Sequence, residues 1–350
     1  MEAIDLRSDT VTLPTVEMRR AMADAELGDD VFNEDPTVGR LEEMAAGLMG
    51  QETSLFMPSG TMSNLVSVLS WCQRGDEILI GSEAHMFWNE VGGSSTVAGV
   101  TVRTVPNDIN GKFQLNEVES AIRSRENIHF PPTALLCLEN THNRCGGAVL
   151  TPSETDQLVE LAHKKDVRVH MDGARIFNAA VYLGIPARTL AENVDSVSFC
   201  ISKGLGAPVG SLLCGSSAFI DRARKWRKML GGGMRQVGVV ASAGIVALGS
   251  MIERLADDHV TAKMLAHGLS LIPGIRFEQI DVQTNIVIFE WLGENTIQFL
   301  SSLSRNGVKA SFVGGTKIRM VTHAGIEPWH IEEALRIIRK TSDQVLEVKV

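Results

Sequence analysis

Two polar residues close two apolar runs, and together they could do chemistry. The run Val197–Ile201 stops abruptly at Ser202-Lys203-Gly204, and a glycine-rich turn then leads into a second apolar run, Gly210–Cys214. Burying an ammonium without a partner is expensive, so a lysine at that point needs a reason. One reason is structural: the lysine caps a strand and its stem snorkels to water. The other is chemical: desolvation lowers the pKa of a lysine and makes it an amine nucleophile for a carbonyl. Asp172 stands 31 positions earlier, at the end of the strand-like Val167–Met171.

A third stretch, Met57–Asn64 (MPSGTMSN), is a small-residue turn that opens a helix. Alone it is an ordinary strand-turn-helix junction. With a lysine and an aspartate it makes an anion site, through Ser59, Gly60 and Thr61. The three stretches answer the three needs of pyridoxal 5'-phosphate (PLP). Its aldehyde needs an amine, here Lys203, to form a covalent Schiff base. Its pyridine nitrogen needs an anion, here Asp172, to stay protonated as an electron sink. Its phosphate needs a cradle, with Arg235 as the cationic partner.

The elements that must position these residues alternate. Strand-like Ser54–Met57, Glu77–Gly81, Thr101–Val105, Ala134–Glu139 and Val167–Met171 are separated by helical segments, among them Ser59–Gln73, Leu115–Ser124 and a helix opened by the capping box Thr151-Pro152-Ser153-Glu154. This rhythm predicts crossover units and a mostly parallel sheet, whose strand carboxyl ends share one edge where ligands bind. Asn140, Thr141, Asp172 and Lys203 all fall at such ends. Helical sequence is expected from Val237 to about Leu271. Beyond the Pro273-Gly274 break come strands near Asn285–Glu290 and Lys317–Val321 and helices near Thr296–Arg305 and Pro328–Lys340, a small α+β domain. The expected division is 1–253 and 254–350, with the extended Leu6–Thr12 as an arm of the large domain and Ser8 and Asp9 as solvent-facing turn residues.

Composition narrows the class. The 350 residues are 44% hydrophobic and 21% charged, with a net charge of −9. No basic cluster stands out, which argues against nucleic acid. The first residues, MEAIDLRSD, carry no signal-peptide core, and the longest uncharged apolar stretch, Val237–Ile252, has 16 residues. That is short of the roughly 20 a bilayer needs, so no membrane partner is expected. Cys72, Cys137, Cys145, Cys200 and Cys214 lack paired spacing, which points to reduced thiols and a cytoplasmic protein. No ligand cluster supports a metal.

The blocks LRSDTVT (Leu6–Thr12), ENTH (139–142), DGARIFNA (172–179), SKGLGAPVGSLL (202–213), GGGMRQ (231–236) and KIRMVTH (317–323) follow one another in an order that resembles the low-specificity L-threonine aldolases. The resemblance covers nearly the whole chain. It implies a PLP-dependent transferase fold of type I, an α/β architecture with helices on both faces of the sheet. It also implies retro-aldol cleavage of L-threonine, L-allo-threonine and related β-hydroxy amino acids to glycine and an aldehyde, acetaldehyde from threonine. His85 is then expected to stack on the cofactor ring, and His85 or His129 to act as the base, directly or through water. Ser8, Arg175 and Arg319 are expected to hold the substrate carboxylate, and Arg175 is also expected to bind the cofactor. A homo-oligomer is expected, a tetramer built from dimers. Three other readings stand beside this one. A β-eliminating lyase or aminotransferase would share fold and cofactor. A PLP- or nucleotide-binding regulatory module would not need Lys203, Asp172 and two gripping arginines together. A nucleotide fold lacks both GxGxxG and GxxxxGK[ST] at a strand-helix junction.

Overall fold

The computed structural model describes residues 3–278 and 281–347. Its first strand is short, β1 (Ile4–Asp5). The next seven form one sheet: β2 (Thr53–Met57), β3 (Glu77–Gly81), β4 (Thr101–Val105), β5 (Thr133–Glu139), β6 (Arg168–Asp172), β7 (Ser196–Cys200) and β8 (Ser211–Gly215). Their spatial order is β2-β8-β7-β6-β5-β3-β4. Only β8 runs against the rest, pairing antiparallel with both β7 and β2. Every residue of β5 is buried, because a central parallel strand is covered on both faces and has no polar side.

Alternation along the strands sorts the core into two layers. Leu136, Val169, Met171, Val197 and Phe199 face the helices Pro36–Met49, Pro152–His163, Ile176–Leu183 and Gly238–Ser250. Leu135, Cys137, Ile78 and Ile80 face the opposite way, with Leu55, Met57 and Leu213, towards the helices Gly60–Trp71 and Ser217–Met229. Helices thus cover both faces, as expected. Connections leave β3 towards β4 and leave β5 towards β6, so the chain switches direction between the neighbours β3 and β5. A crevice opens at the carboxyl ends of strands at such a switch.

The remaining strands are β9 (Ile275–Arg276), β10 (Ile286–Trp291), β11 (Val308–Lys309), β12 (Ser311–Gly314) and β13 (Lys317–Val321). All but β11 form an antiparallel sheet in the order β12-β13-β10-β9. A second core lies here, built around Phe289, Trp291, Phe299, Met320 and Ile331. Ile4 and Leu6 belong to it, because β1 pairs in parallel with β11.

The single helical run expected from Val237 to Leu271 is two helices, Gly238–Ser250 and Leu255–Ser270, meeting at 72°. The first packs Ala241, Ala243 and Ala247 on the large sheet, and the second packs Leu265 and Leu269 into the second core. A straight helix of that length could not serve both cores. Among the described residues no single helix is long and apolar enough to cross a membrane. All five cysteines are free.

Candidate active site

The carboxyl edge of the sheet gathers most of the predicted site. Asp172 closes β6, and Lys203 lies in the loop between the antiparallel pair β7 and β8. His85 follows β3 on a short helix, His85–Trp88. Asp172 is buried with two donors: Asn64 Nδ2 at 2.9 Å on Oδ2 and the Ala174 amide at 3.0 Å on Oδ1. Burial works against its charge, but His85, Lys203 and the Asn64 hydrogen bond outweigh it and hold the carboxyl below its ordinary range. An ionised carboxylate of this kind suits a protonated pyridine nitrogen.

The anion turn is built as expected. Ser59 caps the helix Gly60–Trp71, its hydroxyl accepting the Met62 amide at 3.1 Å. The first-turn N–H groups of Gly60 and Thr61 have no intrahelical acceptor and carry the positive end of the helix dipole. A Cβ at Gly60 would lie 2.8 Å from Cys200 Sγ, so the turn sits hard against the end of β7. This cradle, the ionised Asp172 and the lysine fit PLP.

Two predicted residues are not brought here by their own chain. Arg235 is half exposed and donates to Asp29 Oδ2 at 3.0 Å on the surface. His129 lies on an exposed loop that enters β5 at Thr133, the amino end. Asp172 pairs with Glu139 at the other end of that strand. The seven residues of β5 span about 20 Å. Within its own chain His129 therefore does not reach this edge and is not a catalytic neighbour of Lys203.

The arm supplies a feature opposite to expectation. Asp9 is not solvent-facing but fully buried. It receives Arg175 at two points, Nη2 to Oδ1 at 2.6 Å and Nε to Oδ2 at 2.7 Å, with Asn285 Nδ2 at 3.3 Å. Burial opposes its charge, yet Arg175, Lys203 and Asn285 drive its pKa far below the usual carboxylate range. Arg175 and Arg319 converge on a single neutral oxygen, Asn143 Oδ1, at 3.3 and 2.9 Å. Arg319 also donates to the Arg7 carbonyl at 3.3 Å, one residue before Ser8. Its Nε is buried without a partner, and its pKa falls to about 10, from burial first and then the Arg175 charge. Two guanidinium groups thus meet at one amide oxygen, and one of them keeps an idle donor. A strand-interior arginine ordinarily faces solvent; Arg319 is turned inward by Asn143.

Residues that the sequence did not single out complete the arrangement. His85 Nδ1 meets Glu90 Oε1 at 2.9 Å, and the His85 amide donates to Glu139 Oε2 at 2.7 Å. Asn64 Nδ2 donates to Glu90 Oε1 as well, at 2.8 Å. Burial raises the Glu90 pKa despite these partners. For His85, burial favours the neutral ring, but the Glu90 hydrogen bond and the charges of Asp172 and Glu139 prevail and raise its pKa. Ligand atoms of His85, Glu90 and Asp172 lie within 4.8 Å of one another, a spacing a metal can use. The amide group of Asn64 already points its hydrogens at both carboxylates, which places a donor where a cation would need acceptors. A cleft of about 810 Å³ between the arm and the C-terminal helix, lined by Arg305, Lys309, Trp329 and Lys340, shares no residue with this cluster.

The beta-eliminating lyase family profile matches residues 5–291. The chain is 45% identical over 328 residues to low-specificity L-threonine aldolase 1 of Arabidopsis thaliana, covering 92% of each. Its fold is similar to that of a threonine aldolase from Leishmania major, with a TM-score of 0.83 at 19% identity over 97% of this chain and 99% of that one. It is also similar to an SPT solved with PLP, with a TM-score of 0.76 at 17% identity over 98% of this chain and 88% of that one.

Proposed function

The chain belongs to the beta-eliminating lyase family, among its low-specificity L-threonine aldolases, and from that premise we propose that it is a PLP-dependent carbon-carbon lyase. Its reaction is the cleavage of L-threonine, L-allo-threonine and related β-hydroxy-α-amino acids to glycine and an aldehyde. Lys203 would hold the cofactor, Asp172 its ring nitrogen, Ser59, Gly60 and Thr61 its phosphate, and His85 the face of its ring. The bound cofactor supplies an electron sink for whichever bond at Cα lies perpendicular to its ring.

The residues of the chain choose that bond. Convergence of Arg175 and Arg319 on Asn143 Oδ1 carries the reading, because each brings its Nη1 to that point and the two could each donate to the substrate carboxylate, with Ser8 beside them. Fixing the carboxylate there would leave Cα–Cβ as the bond presented to that electron sink. A neutral His85 then takes the proton from the β-hydroxyl. The O–H electrons become the aldehyde C=O, the Cα–Cβ pair stays on Cα, and a returning proton completes glycine. The step is proton-neutral overall. Arg235 and His129, which point away from their own site, support a homo-oligomer in which a second copy supplies them. A tetramer built from dimers is the assembly proposed. Five free cysteines support a cytoplasmic setting.

Acetaldehyde release from L-threonine and L-allo-threonine, with Lys203→Ala alongside and visible absorbance recorded, tests the proposal. The expected result is aldehyde from the parent, and loss of both activity and the visible cofactor band in the variant. A band without acetaldehyde moves the reaction to elimination or transamination. No band with added PLP sinks the cofactor assignment.

A further inference from the structure

We propose that Glu90 is the positioning residue of His85: it fixes the ring tautomer and, with the ring, stores the proton moved in cleavage. The proposal rests on the aldolase reading for its chemistry, but its geometry stands alone. Glu90 is buried, and a buried carboxylate survives only with partners. Both partners meet the same oxygen, Asn64 Nδ2 at 2.8 Å and His85 Nδ1 at 2.9 Å.

The proton positions follow from a chain of donors anchored at Asp172. Ionised Asp172 can only accept, so Asn64 must present Nδ2 to it and Oδ1 the other way. On that side His170 Nε2 lies 3.2 Å from Oδ1, and Ser198 Oγ donates to it at 3.0 Å. His170 therefore carries its hydrogen on Nε2. It stays neutral, because burial lowers its pKa to about 4. Its Nδ1 accepts from Ser196 Oγ at 2.9 Å, and Ser196 in turn accepts from Trp71 Nε1 at 2.9 Å. The Asn64 amide thus spends one hydrogen on Asp172 and the other on Glu90. With that hydrogen on Oε1, Glu90 is held as an acceptor, and the His85 proton belongs on Nδ1. The lone pair of Nε2 is left for a substrate hydroxyl. This is the logic of a carboxylate orienting a general base.

The backbone supports the same assignment. Val91, next to Glu90, has φ of 56°, a left-handed conformation that a β-branched residue avoids. Strain of this kind persists where the surroundings over-determine it. Here the turn is held while Glu90 reaches inward and Val91 faces out. The charges that favour a proton on His85 come from three packed elements: Glu90 from its own turn, Asp172 from β6 and Glu139 from β5, while Lys203 from the β7–β8 loop acts on Asp172.

Glu90→Gln removes the charge and keeps the shape. With PLP loading confirmed by absorbance, kcat for threonine cleavage should fall about tenfold to a hundredfold with KM little changed. The acid limb of the pH profile should move down by roughly one pH unit, because His85 loses an anionic neighbour. Glu90→Asp, which keeps the charge, should leave the limb near its parental position. Histidine-selective ¹⁵N NMR of parent and variant, with His85→Asn to assign the signal, should show the Nδ1–H tautomer and a lower pKa in Glu90→Gln. An unmoved limb, an unchanged His85 titration, or a loss explained by failed PLP loading overturns the proposal. If the parent releases no aldehyde, the reaction is wrong, while the NMR titration still decides the pairing.

Discussion

Asp9 and Asp258 both approach Gly204 beside the lysine, yet burial treats them oppositely. Asp9 has the two-point grip of Arg175, so its folded pKa is depressed. It stabilises the fold above the ordinary carboxylate range, and that contribution is lost as pH falls. Asp258 is buried with Arg254 as its ion-pair partner, and desolvation prevails, raising its pKa from 3.8 to about 6. Between those values the native state holds a proton that the unfolded chain releases, so stability drops as pH rises through the window. The effect is on the order of 2–3 kcal/mol. Asp258→Asn should therefore compare better with the parent at pH 8 than at pH 4 by about that amount. Urea denaturation at the two pH values checks it, and an offset equal at both would mean that Asp258 titrates normally. Such differences were not legible in the sequence. Lys203 and Asp172 were, because a charged residue closing an apolar run is conspicuous on its own. Asp9, Asn64, Glu90 and Asn143 are ordinary polar residues until partners from distant segments meet them: Asp9 and Arg175 are 166 positions apart.

Elements were more legible than residues. Glu77–Gly81, Thr101–Val105, Thr296–Arg305 and Lys317–Val321 have the expected bounds, because apolar periodicity and flanking turn residues mark them locally. The bend between Ser250 and Leu255 has no glycine or proline to announce it; tertiary demand from two cores makes it. The helix opening at Gly60 joins both lessons. Its turn was readable, but its tolerance is set by Cys200 across the sheet. Gly60→Ala offers a better helix former, worth up to about 1 kcal/mol, yet its Cβ meets a sulfur at 2.8 Å. Overpacking costs about 1–3 kcal/mol and pushes the turn away from β7. The expected outcome is a PLP affinity at least about tenfold lower, with the apo protein no more than about 3 kcal/mol destabilised. Absorbance titration with PLP, beside thermal denaturation of the apo form, separates the two. Unaltered affinity would remove this turn from the phosphate seat.

At the scale of the whole molecule, two of the expected site residues lie away from the site within one chain. His129 sits at the amino edge of the sheet, Arg235 is tied to Asp29 on the surface, and Leu13, Val16, Phe32, Phe87, Trp88 and Val91 stand exposed. Sequence reading placed all the functional residues in one site, because a motif carries no sign of which copy it serves. The homo-oligomer proposed above would resolve this if isologous pairing of two chains turned each surface towards the site of the other. Mixing two damaged chains tests it. Lys203→Ala keeps His129 but lacks the amine, and His129→Asn keeps the amine but lacks the imidazole. If both residues served one site within one chain, no mixed assembly would recover. If His129 serves the neighbouring site, half of the sites keep Lys203, and half of those face an intact His129. Random assembly of equal amounts should then restore about a quarter of parental cleavage. Assay of the whole co-expressed mixture, without selection for mixed assemblies, measures it. Full activity of His129→Asn alone would show that no site uses His129. A damaged His129→Asn that never recovers on mixing would show that its loss acts through the fold of its own chain.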